Sequence, residues 1–247
     1  MHALALVIGD VETVMAPYDE SLDLPHFWQS CDTDWLITRW PECRTGPTPQ
    51  LLLERLRAEW PADAELYWLA EDGTSIEYWS DCNPQGRWDY WSIGGRFSDH
   101  LILKPDHLGI HGERSNESHP QLPGRCDGGL LGAIDLGRMR DRAVIDAAAR
   151  WDRWHAGPDI EDPMSVEEFP EWILGYSRGQ FIERARLAAV PGHALVTSDR
   201  WITQPIGWCG PQDAAERAAE LEYLTIVNEL LDGADESTSI TCADYHR

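Results

Sequence analysis

Residues 83–97 read Asn83-Pro84-Gln85-Gly86-Arg87-Trp88-Asp89-Tyr90-Trp91-Ser92-Ile93-Gly94-Gly95-Arg96-Phe97, and the rest of the chain is organised around them. Pro84 fixes φ and Gly86 tolerates positive φ, so the stretch opens on a turn. Trp88, Asp89, Tyr90 and Trp91 have the aromatic β-propensity of a strand without a clean two-residue alternation. Gly94-Gly95 then lets the backbone approach another group closely, or sets two amides in a concave nest able to hold an anion. Arg96 follows with a planar fork suited to a carboxylate or phosphate. The same residues admit a purely architectural role, in which Trp88 and Trp91 are core, the glycines a bulge, and Arg96 a partner for one of many acids.

Working outward, Glu65 to Ala70, the Asp72-Gly73 turn and Ser75 to Trp79 form the clearest hairpin, and its second strand feeds the central stretch. Residues 3–8 read as a buried first strand, after which Asp10 and Glu12 suit a cap or a metal. Thr48-Pro49 predicts a helix start, with Leu52, Leu53, Leu56 and Trp60 on one face and Pro61 as the stop. Helical periods also run from Leu136 to His155, from Gln180 to Ala189, and from Pro211 to the terminator Gly233. Ala194 to Thr197 and Trp201 to Ile202 predict a second hairpin, followed by the aromatic, glycine-rich loop that carries Trp208. The expected fold is α+β: a mainly antiparallel sheet with helices packed on it, one domain over residues 1–247. A long irregular insertion is expected around residues 99–129.

The balance of 20 basic against 43 acidic residues, a net charge of −23, argues against direct binding of nucleic-acid phosphates. It suits a solubilising surface, a cation-binding surface, or an acidic surface that imitates DNA. No window approaches the roughly 20 apolar residues that span a bilayer. The N-terminus also lacks the basic region of a signal peptide, so a cytoplasmic location is expected. Six cysteines without a C-x-x-C pair read as free thiols, and 13 tryptophans imply large aromatic plates in a core or on a stacking surface. His107 and His111 have the i, i+4 spacing of zinc ligands, with Cys126 downstream. Gly109 opposes a helix there, so the segment reads as an exposed excursion and no metal is assigned.

The chain closes on Ser239-Ile240-Thr241-Cys242-Ala243-Asp244-Tyr245-His246. On a strand, Cys242, Asp244 and His246 share a face. An aspartate beside a histidine is the minimal pair for orienting a general base or a metal ligand, and a frayed tail is the alternative. Together with the opening Val-Ile-Gly-Asp-Val-Glu and the Gly-Trp-Cys-Gly loop, the central and closing stretches resemble a family of proteins from bacteriophages, prophages and actinobacteria. Its pattern has the form Asn-Pro-x-x-x-Trp-Asp-Tyr-Trp-x-Ile-Gly-Gly-Arg with a closing Asp-Tyr-His; Phe97 follows the arginine where the family usually has Trp. The family has no established activity, so the resemblance implies an origin and no mechanism. It does imply that Trp88, Asp89, Gly94, Gly95, Arg96, Asp244 and His246 belong to shared motifs. By the same resemblance alone, residues 99–124 and 157–178 look like insertions.

Two functions follow as expectations. In the first, a small anionic, nucleotide-like ligand is bound or transformed: Asp89, Asp244 and His246 supply catalysis, and Trp88, Gly94, Gly95, Arg96 and Trp208 supply binding. In the second, the chain is a non-catalytic acidic effector of a host protein, of the DNA-mimic or anti-defence type. No cofactor is assigned.

Overall fold

The computed structural model describes residues 2–31, 36, 38–40, 49–113, 121–156, 175–206 and 210–246. In chain order its elements begin with β1 (His2–Ile8), α1 (Val11–Met15), β2 (Phe27–Ser30), α2 (Pro49–Glu59), β3 (Tyr67–Leu69), β4 (Ile76–Ser80) and β5 (Tyr90–Ile93). There follow β6 (Leu101–Ile102), β7 (Arg125–Cys126), β8 (Gly128–Leu130), α3 (Leu136–Ala156), α4 (Arg178–Leu187), β9 (Ala194–Val196), β10 (Trp201–Thr203), α5 (Ala214–Gly233) and β11 (Ser239–His246). The fold class is α+β. The chain gathers into two compact units, residues 18–87 and residues 1–17 with 88–247.

The larger unit is built on a sheet of order β10-β9-β1-β11-β5, in which β8 also pairs with β11. β1 and β9 run parallel and the other pairs antiparallel. Every residue of β1 from Ala3 to Val7 is buried, which explains its near-continuous apolar run: both faces are covered. β11 is buried from Ile240 to Tyr245 and lies between β1 and β5, so the frayed-tail alternative is overturned. One face of these strands, through Leu4, Leu6, Leu195, Ile240 and Cys242, packs on Met139 of α3 and on Tyr223, Leu224, Val227 and Leu231 of α5.

Helix ends follow local chemistry. Asp10 caps α1 by accepting from Thr13 N at 3.0 Å, the capping role the sequence allowed it. α5 starts at Ala214 rather than at Pro211, because Asp213 accepts from Glu216 N at 2.8 Å and sets the first turn. Thr48 and residues 157–174 lie outside the described residues.

Residues 99–129 have little regular structure, as expected, but their ends are not peripheral. Leu101 and Ile102 pair with Cys126 and Arg125, Gly128–Leu130 joins β11, and Leu101, Ile102, Cys126 and Asp127 are buried. Between these buried ends the described residues 105–113 and 121–124 are mostly exposed, as expected of an excursion, while the ends deliver a buried carboxylate to the sheet.

In the smaller unit the Glu65–Trp79 hairpin forms as expected, as β3 and β4, and β2 adds on the other side of β4. Ile76 and the α2 residues Leu52, Leu53 and Leu56 make its core. No helix among the described residues is long and apolar enough to cross a membrane.

Candidate functional site

Register decides which side chains meet at one end of the larger sheet. His2 lies opposite His246, and His246 lies opposite Tyr90, so three adjacent strands end in a row of polar rings. One step inward along the same face, Asp244 lies between Leu4 and Ser92. Direct cross-strand partners share a face and have close Cβ atoms, so this row is a consequence of pairing and not of sequence proximity.

Hydrogen bonds join the row into a network. His2 Nδ1 donates to Asp244 Oδ1 at 2.9 Å, and the other oxygen, Oδ2, accepts from Arg96 N at 2.9 Å. His246 Nδ1 donates to Asp89 Oδ1 at 2.9 Å, and Asp89 N donates to His246 O at 3.1 Å. The two imidazoles face each other with centroids 5.1 Å apart and planes at 54°. Since a carboxylate only accepts, each Nδ1 donates a proton, and Nε2 is the ring nitrogen left outside the pair. Asp244 is 3% exposed, whereas His246 and Asp89 are open to solvent. The hydrogen bond from His246 holds the Asp89 carboxyl below its usual range.

The double glycine is explained by what lies beneath it. Gly94 and Gly95 have φ of +71° and +50°. A Cβ on Gly94 would stand 2.6 Å from Asp127 Cγ, and one on Gly95 would stand 2.6 Å from Asp244 Cβ. The glycines therefore leave room for two carboxylates of the chain itself. Asp127 is fully buried and accepts from Asp99 N at 2.5 Å and Gly112 N at 2.9 Å. The nest expected for a foreign anion holds an internal one: the Arg96 amide is bound to Asp244. The Arg96 side chain remains exposed and pairs with no described residue.

Of the residues singled out from sequence, Asp89, Gly94, Gly95, Arg96, Asp244 and His246 belong to this connected network. Trp88 stands beside it with its indole N–H donating to Met15 O at 3.1 Å and its ring edge-on to Trp91 at 6.4 Å. Trp208 lies outside the described residues. His107 and His111 are elsewhere, bonded to Pro105 O and to Gln121, and burial pushes the Cys126 thiol up to about 11. Among the described residues no three His, Cys, Asp or Glu side chains gather as a metal site.

Three participants escaped the sequence reading. His2 was available as the lone polar residue of His2–Ile8. Asp127 precedes Gly128-Gly129, a second acid-and-glycine stretch. Tyr90, 58% exposed, was hidden among the aromatics.

Chemically the arrangement offers two imidazoles fixed in orientation by carboxylates, with their Nε2 atoms available for proton transfer. Comparison with protein-family models, with curated proteins and with solved structures returns no match, so geometry alone carries the functional reading.

Proposed function

We propose that the polar end of the larger sheet binds and transforms a small anionic, nucleotide-like ligand. The contact between two imidazoles, each anchored through Nδ1 by its own carboxylate, carries this reading. One Nε2 takes a proton from an attacking hydroxyl or water. The other Nε2 delivers a proton to the leaving oxygen, and the carboxylates hold both rings in register. Arg96 supplies the anion contact: its amide shares Asp244 with His2, and its guanidinium has no partner among the described residues. Cys31, Cys82, Cys126 and Cys242 are free thiols, which supports a reducing, cytoplasmic setting. The resemblance around Trp88–Phe97 and Asp244–His246 supports a phage or actinobacterial origin.

The test is a thermal-shift screen of nucleotides, inorganic phosphate and divalent cations on the wild-type chain, Arg96→Ala and His246→Ala. A ligand that binds only the folded form raises the melting temperature, by about 2.7 kcal/mol of added stability at a hundred times its dissociation constant. A phosphate-bearing compound should stabilise the wild type and lose that effect in both variants. Equal stabilisation of all three chains, or of none, removes the proposal.

A further inference from the structure

The outer face of the smaller unit's sheet carries a second site. Alternation along β4 sends Ile76 inward and Trp79 outward; Trp28 of β2 stands opposite Trp79, and Trp68 of β3 stands opposite Glu77. Trp28, Trp68 and Trp79 are 46%, 54% and 38% exposed, and they touch: Trp28 lies 4.9 Å from Trp79 and 6.4 Å from Trp68. Exposed indoles in contact with one another form an apolar patch of the kind that marks interaction sites, because each holds a large apolar area in water.

The face is fixed before any partner arrives. Trp68 Nε1 donates to Glu65 O at 2.9 Å, and the Arg57 guanidinium lies 5.5 Å from the Trp68 ring while its own donors are held by Ala64 O and Tyr67 O. At the other end His26 stacks on Trp79 at 5.9 Å with planes 16° apart. The indole N–H groups of Trp28 and Trp79, by contrast, have no partner among the described residues.

Three observations select the occupant. The Trp28 ring meets its neighbours at 60° and 82°, so the indoles make ridges and clefts rather than a flat platform for successive sugar rings. The unit carries fourteen acidic residues against five arginines over residues 18–87, which repels a nucleic-acid backbone. Two open indole donors call for carbonyls that their own chain leaves unbonded. A polyproline II helix has such carbonyls, presents rigid rings that fit between aromatic edges, and loses little entropy on docking. We propose that this face docks a proline-rich segment in the polyproline II conformation with arginine or lysine beside its prolines, the cation meeting Glu77.

The experiment is calorimetric titration of the full chain with a capped peptide of six prolines flanked by arginines, and with the same peptide flanked by glutamines. Binding is expected, with the indole N–H resonances of Trp28 and Trp79 shifting in the complex. Trp28→Ala and Trp79→Ala should each weaken it at least tenfold while still unfolding in one cooperative transition. Glu77→Gln should weaken the arginine peptide several-fold and leave the glutamine peptide unchanged. Absence of binding at millimolar peptide overturns the proposal, as does binding that survives both tryptophan variants. Binding of a cello-oligosaccharide or a single-stranded oligonucleotide on this face, in place of the peptide, overturns it in favour of those ligand classes.

Discussion

The two sheets spend their side chains in opposite ways. At the polar end of the larger sheet, each buried oxygen of Asp127 and Asp244 has a donor, and even the more open Asp89 is held by His246. On the outer face of the smaller sheet, three large apolar rings stand in water and two indole donors are unmatched among the described residues. The first arrangement is what stability demands of charge taken out of water. The second leaves a large part of each ring unburied and keeps that area for something else. Stability and recognition are thus separable between the two regions, and substitutions can show how cleanly.

The largest effect belongs to Asp127→Ala. It strands the amides of Asp99 and Gly112 in the interior, and should cost roughly 3–5 kcal/mol in urea unfolding. A loss below about 1 kcal/mol would show that this carboxylate does not organise the unit. Gly95→Ala comes next: a positive φ and a Cβ pressed on Asp244 should cost about 2–3 kcal/mol and disturb the His2 resonance by NMR. His246→Ala removes an exposed pair, so its stability cost should stay below about 1 kcal/mol while ligand-induced stabilisation disappears.

Acid titration sharpens the contrast further. Because the folded Asp89 carboxyl is held below its usual range by His246, the pair stabilises the fold above the unfolded carboxylate value of about 4. That contribution is lost as pH falls through the lower folded value. Melting temperature followed from pH 6 to pH 3 should therefore fall less steeply in Asp89→Asn than in the wild type. Trp28→Ala should cost about 1 kcal/mol, the loss of edge contacts with two neighbouring rings; a loss of about 3–5 kcal/mol would place that ring in the core and erase the distinction between the regions.

Local chemistry made much of this legible in the sequence. The Asp72-Gly73 hairpin, the buried Ala3–Val7 run, the helical periods, and the shared face of Asp244 and His246 all depend on neighbours a few residues apart. What stayed hidden depends on pairing across the chain. His2 meets His246 only because β1 and β11 align, and no local pattern states a register. The double glycine was readable as room for a close approach, but its occupants, Asp127 and Asp244, come from residues whose surroundings read as loop and tail. The aromatic face was equally obscure, since Trp28, Trp68 and Trp79 look like core until alternation along β4 turns them outward.

The alignment of β1 with β11 has a consequence for how the polypeptide is made. A ribosome releases the apolar His2–Ile8 strand before any other described element, yet the strand that flanks it in seven registered pairs is the last of the described elements to emerge. Residues 18–87 contain all three strands of their own sheet and can close during translation. The larger unit must instead keep a greasy, half-zipped edge waiting, which lengthens its exposure to chaperones and to aggregation.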